Sequence, residues 1–160
     1  MAVSDHDLIG AWKQVLTLSK LEPGQIVTVL TSSTTHPQTL STALTAVQQL
    51  GAVANRLDLP PVNGDKALSR DSLAYLGTTP LTGNRAAIAA LKESDLVLDL
   101  MTLLFSPEQH DILSAGTKIL LAVEPPEVLV RMVPTLDDKR PVAQAARLLE
   151  GKRDMHVTSP

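Results

Sequence analysis

Apolar residues along this chain follow two rhythms in turn. Short runs rich in β-branched residues and leucine, at Gln25–Thr31 (QIVTVLT), Val53–Leu59, Asp95–Asp99 and Lys118–Val123, read as strands. Between them, apolar positions recur three and four residues apart, as on one face of a helix. Ser4 can cap the first helix, with Asp7 three residues on and Leu8, Ala11, Trp12, Val15 and Leu16 along one side. Pro23-Gly24 then turns the chain. Thr35 precedes a helix from about Pro37 to Leu50, with proline where its missing donor costs little and Gly51 as the stop. A third helix is expected from about Gly83 to Glu93. Ser106-Pro107-Glu108-Gln109 forms a strong start for a fourth. A short helix follows Pro125-Pro126, and Thr135 with Asp138 opens a last one to about Glu150. Residues 62–80 are irregular in pattern, and Asp154–Pro160 begins what reads as another strand.

Strand and helix alternate through most of the chain. That order predicts an α/β, Rossmann-like three-layer domain, with a mainly parallel sheet flanked by helices. At 160 residues, the expectation is one α/β domain over residues 1–160. The strand-like ending suggests a domain cut from a longer protein, with an edge strand followed by a frayed tail as the alternative. Only Trp12, Tyr75 and Phe105 are aromatic, so the core must be built from Leu, Val, Ala and Ile. The net charge of −3 offers no basic stripe for nucleic acid. The chain has no cysteine, hence no disulfide framework or thiolate nucleophile, which fits a cytoplasmic protein. The N-terminus lacks the pattern of a secretory signal, and no apolar run reaches the ~20 residues of a membrane helix, so no membrane partner is expected.

In an open parallel sheet, ligands bind beyond the carboxyl ends of the strands. Four stretches are placed there: Ser32–His36, residues 60–64, Asp99–Phe105 and Glu124–Glu127. Ser32, His36, Asp99 and Glu124 are therefore the candidate ligand-edge residues. Each has a purely structural alternative. The Ser32–Thr35 hydroxyls can serve as turn residues and a helix cap, and the two carboxylates can accept hydrogen bonds from neighbouring loops. The eight glycines never approach a dinucleotide or P-loop spacing. The histidines, His6, His36, His110 and His156, are scattered, without metal-ligand spacing. His6 and His110 read as solvated, and His156 as part of the terminal strand. No nucleophile elbow is present, and Ser106 is best explained as a cap.

The words SPEQ (Ser106–Gln109), ILLAVEPPEVL (Ile119–Leu129) and DDKR (Asp137–Arg140), with LTGN (Leu81–Asn84) upstream, closely resemble the N-terminal half of the bacterial 2,5-dihydroxypyridine 5,6-dioxygenases. The resemblance extends more weakly over nearly the whole chain. It implies a Rossmann-like N-terminal domain that closes over a C-terminal metal-binding domain holding Fe(II). The reaction implied is ring opening of a small aromatic substrate, 2,5-dihydroxypyridine, during nicotinate degradation, giving N-formylmaleamate. It further implies a homo-oligomer, and a loop at Leu103–Ser106 reaching the substrate with Leu104 and Phe105 as pocket lining. No catalytic residue and no metal ligand are carried over onto this chain, so by itself it should neither bind iron tightly nor turn over substrate. One departure stands out: relatives reading LLHSPEQ place a histidine where this chain has Phe105. Phenylalanine can stack on a flat ring but cannot move a proton.

Two other readings remain open at this point. The chain could be a stand-alone α/β module binding a small ligand or a protein partner through its Ser32–Thr35 loop. A more distant resemblance points to the N-terminal domain of metal-dependent aminopeptidases.

Overall fold

The structure, a computed structural model, describes residues 3–60, 79–103 and 106–152. Its elements run α1 (Asp5–Leu18), β1 (Ile26–Thr31), α2 (Pro37–Gln49), β2 (Val53–Asp58), α3 (Arg85–Lys92), β3 (Leu96–Asp99), α4 (Pro107–Ser114), β4 (Lys118–Leu121), α5 (Pro126–Met132) and α6 (Leu136–Leu149). The four strands form one all-parallel sheet in the order β2-β1-β3-β4. The expected α/β three-layer arrangement is thus observed. The suggested strand within Asp154–Pro160 lies outside the described residues.

Burial explains the order. In β3 every residue is buried, and in β1 all but the first are. Strands covered on both faces read as continuous apolar runs, which marks these two as central. The edge strands β2 and β4 are only partly covered. Side chains alternate across the sheet, so the central strands feed two cores. Val27, Val29, Leu96 and Leu98 meet Leu8, Trp12 and Leu16 of α1 and Ala43, Ala46 and Val47 of α2. Leu30 and Val97 point the other way, toward Ala87 and Leu91 of α3 and Ile112 of α4. Leu129 and Val130 of α5 return to the first face.

Local signals set the ends of the helices. Ser4 Oγ accepts from the Asp7 N–H and caps α1. Ser106 Oγ accepts from the Gln109 N–H at 3.0 Å and caps α4, with Pro107 in the first position. Asn84 caps α3 through the Ala87 N–H, so that helix begins two residues later than the sequence pattern predicted. At α2 the cap position is His36 rather than Thr35, and its side chain makes no capping bond. After α2, Gly51 takes φ 77°, a left-handed conformation that glycine adopts without strain, and its carbonyl accepts from the Gly24 N–H at 2.8 Å. A Cβ there would lie 3.3 Å from Pro23 Cβ, a tight contact that adds to the preference for glycine set by its φ.

Leu98 is fully buried between the sheet and the first helical layer, whereas Leu148 is 73% exposed on α6. Leu98→Ala is expected to lose about 2–5 kcal/mol of stability, and Leu148→Ala in the 160-residue chain to stay within about 0.5 kcal/mol of the parent. Urea unfolding of both variants measures the contrast. A large loss for Leu148→Ala would mean that α6 is already packed.

Candidate functional site

The strand order places the chain reversal between β1 and β3, because β1 leads outward to β2 and the chain then returns to the other side of β1. In open parallel sheets this reversal is the position where ligands bind, in the crevice beyond the carboxyl ends of the strands. Leu30 pairs with Asp99 in register, and the Leu100 N–H reaches the Leu30 carbonyl at 2.9 Å. The β1–α2 loop, holding Ser32 and His36, thus sits beside the β3–α4 loop, which begins at Asp99. The two are joined where Thr35 Oγ1 donates to the Leu100 carbonyl at 3.3 Å.

The polar groups of the crevice mostly face each other. The Ser32 N–H donates to Thr35 Oγ1 at 3.0 Å, and Ser32 Oγ lies 2.8 Å from Thr34 Oγ1. Ser32 is buried, while Ser33 and His36 are exposed. Asp99 is wholly buried and spends its carboxylate on its own loop. Oδ1 accepts from the N–H groups of Met101 at 2.8 Å and Thr102 at 3.0 Å, and Oδ2 accepts from Leu103 at 2.7 Å. This grip sustains Thr102 at φ 68°, an uncommon conformation for a residue with a side chain. Burial raises the Asp99 carboxyl above its ordinary value, and the Leu103, Met101 and Thr102 N–H donors pull against that rise.

Leu103 and Ser106 bracket the span expected to reach the substrate. Both are buried, and the Ser106 N–H bonds the Leu103 carbonyl at 3.1 Å. Leu104 and Phe105, the expected pocket-lining residues, lie outside the described residues. Glu124 is exposed and borders a separate apolar hollow of about 330 Å³ between α1, β4 and α5, beside Trp12 and Leu129.

One pairing had no sequence signal beyond shared motif words. Thr82 Oγ1, in the LTGN word, donates to Glu108 Oε1, in the SPEQ word, at 2.7 Å. Glu108 Oε2 is buried without a partner among the described residues. Two segments far apart in sequence are thereby joined at the start of α4, next to the bracketed span. The histidines His6, His36 and His110 are exposed and sit on α1, the α2 cap and α4 respectively. Among the described residues no three His, Cys, Asp or Glu side chains come together as a metal site.

Asp99→Asn separates the loop-holding role of the carboxylate from its charge. The amide offers one accepting oxygen, so at least one of the three N–H groups loses its acceptor, at a cost of about 1–3 kcal/mol. Because burial raises the Asp99 carboxyl, the folded chain holds that proton more tightly than the unfolded chain does. Its contribution therefore makes stability fall as pH rises from about 4, the ordinary carboxylate value, through the raised one. The variant is expected to flatten that slope, as read by unfolding midpoints across pH. An unchanged slope would show that Asp99 is ionised over the whole interval.

Comparison with known proteins gives this crevice its chemical context. The sequence profile of the 2,5-dihydroxypyridine 5,6-dioxygenases matches residues 7–160. A 2,5-dihydroxypyridine 5,6-dioxygenase of Pseudomonas putida is 50% identical over 159 residues, covering 99% of this chain and 45% of its own length. The solved structure of 2,5-dihydroxypyridine dioxygenase from Pseudomonas putida superposes with a TM-score of 0.85 at 49% identity, covering 94% of this chain and 43% of that one. The chain spans less than half the length of these relatives. With nearly its full length matched by the family profile and half its residues shared with a relative, the chain belongs to the 2,5-dihydroxypyridine 5,6-dioxygenase family.

Proposed function

We propose that the chain is the N-terminal, substrate-pocket and assembly domain of an Fe(II)-dependent dioxygenase. In this reading the whole enzyme is a cytoplasmic homo-oligomer that opens the ring of 2,5-dihydroxypyridine in nicotinate degradation and yields N-formylmaleamate. The observation that carries the reading is the coverage: half-identical sequence over 99% of the chain, set against 45% of the relative. A C-terminal domain would supply the metal and complete the site.

The residues described here do not fit an iron site. Their histidines are apart and exposed, and Asp99 is buried with its oxygens taken by backbone N–H groups. What this chain offers is shape. Asp99 fixes the path from Leu100 to Leu103, and the Thr35 hydroxyl holds the neighbouring loop against it. Leu103 and Ser106 anchor both ends of the span that carries Leu104 and Phe105. In this reading Leu104 and Phe105 are the substrate-binding residues, and a phenylalanine can stack on a flat substrate while leaving proton transfer to other groups. No helix among the described residues is long and apolar enough to cross a membrane.

The test is an iron-binding and ring-opening assay on the 160-residue chain alone and on the chain joined to the part of the P. putida relative that it lacks. The joined protein is expected to bind iron and consume 2,5-dihydroxypyridine, and the chain alone to do neither. Tight iron binding and turnover by the chain alone would overturn the proposal. In the joined protein, Phe105→Ala is expected to raise KM by roughly 2- to 12-fold with a smaller change in kcat, matching the loss of a stacking contact of about 0.5–1.5 kcal/mol.

A further inference from the structure

The sheet is covered on both faces, yet one helix has no cover of its own. Every α6 side chain that the structure describes is exposed. Val142, Ala145, Ala146 and Leu149 recur at the spacing that places them on one side of a helix. Val142 is 67% exposed and Leu149 is 62% exposed. Solvation alone does not account for such a helix. Fourteen residues are marginal as an isolated helix in water, and Pro141 removes one of the internal hydrogen bonds. The sequence nevertheless invests in it, with Asp138 accepting from both the N–H and the hydroxyl of Thr135 at 2.6 and 2.7 Å.

The Val142 end of the stripe borders a cleft. Val142 and Asp138 form one wall of a cleft of about 940 Å³, and Lys13, Thr17 and Lys20 of the α1 side form the other. Gln14 Nε2 closes the near end of the cleft by donating to the Pro134 carbonyl at 2.9 Å. The α6 wall thus offers Val142 beside the Asp138 carboxylate, and the α1 side offers Lys13 and Lys20 beside Leu18. That pairing suits an amphipathic segment with an acidic edge.

Two observations select the occupant. The first is where the exposed apolar side chains lie: of the eight large ones among the described residues, Val123, Met132, Val142, Leu148 and Leu149 fall in the last quarter of the chain. The second is length, since the family relative has more than half of its chain beyond the part matched here. A second copy of this chain is a poorer occupant. The stripe from Val142 to Leu149 runs only about 11 Å, too short a strip to supply the ~1,600 Å² that a stable dimer buries. A covalently attached partner needs no such area, because the tether has already removed most of the entropy cost of association.

We infer that the exposed stripe of α6, together with the cleft at its Val142 end, seats an amphipathic segment of the remaining polypeptide of this family's enzyme. Its apolar side packs on Val142, Ala145, Ala146 and Leu149, and its acidic edge faces Lys13 and Lys20. The inference rests on the two-domain reading above.

Hydrogen exchange of the α6 amides tests it. In the 160-residue chain alone, residues 142–149 are expected to exchange at close to the rates of an unprotected helix. In the chain joined to the missing part of the P. putida relative, they are expected to slow by at least about tenfold. Val142→Asp with Leu149→Asp in the joined protein should restore the fast rates, while Gln144→Ala on the opposite side should not. Slow exchange in the isolated monomer would overturn the inference, whether or not the joined protein folds. So would fast exchange in a folded joined protein, or a concentration-dependent dimer of the free chain that the double substitution abolishes. The outcomes separate this inference from the functional one: protection without ring opening sinks the function alone, and ring opening without protection sinks the docking alone.

Discussion

The buried pairing of β1 with β3 is the constraint on which the rest of the molecule depends. Both strands are sealed on both faces, and their alternating side chains build the two cores. The chain also reverses direction between them, so the same pairing opens the crevice. Stability and site are therefore one feature of the sheet, since the Leu30–Asp99 register that closes the core also sets which loops meet above it. Asp99 stands at that junction. A buried carboxylate is costly unless satisfied, and three backbone N–H groups satisfy it by folding the next four residues tightly around it.

This arrangement explains why the crevice is rich in polar atoms but poor in reactive ones. Ser32, Thr34 and Thr35 bond to one another and to the adjoining loop, and Asp99 is saturated. Groups held in this way position backbone; they do not exchange protons with a substrate. The Thr82–Glu108 contact extends the same logic across the crevice by fastening the loop before α3 to the first turn of α4. Among the described residues, these bonds hold the loops at the carboxyl edge of the sheet in fixed paths.

Much of this was legible in the sequence, because it depends on local rules. The Ser4, Ser106 and Thr135–Asp138 starts and the Gly51 stop all act within a few residues of themselves. The apolar runs of β1 and β3 also announced central strands. The placement of Ser32 beside Asp99 followed from strand order combined with the rule for parallel sheets. The roles of those residues did not follow. Whether Asp99 points into the crevice or back at its own backbone depends on the left-handed turn at Thr102, which no residue type there signals. The α2 cap passed to His36 because the Thr35 hydroxyl is taken by the Ser32 N–H, a competition invisible in a pattern of residue types. The Thr82–Glu108 bond spans 26 residues, beyond any periodicity.

The amphipathic pattern of α6 raises a different question, since a pattern records the surroundings a segment was selected in. For α1 and α2 the apolar side meets the sheet, and pattern and packing agree. For α6 the pattern is equally clear, but its apolar side is exposed, with Val142 at the edge of a cleft. A helix that remained solvated would gain nothing from Val142 and Leu149 on one side, and would carry the aggregation hazard of an exposed stripe. Conflict between local encoding and observed packing marks a place where the folding problem extends beyond the segment in view. The relative's greater length and the lysines across the cleft from Val142 are the observations behind the partner inferred for α6. On this view α6 belongs as much to the next domain's core as to this one's surface.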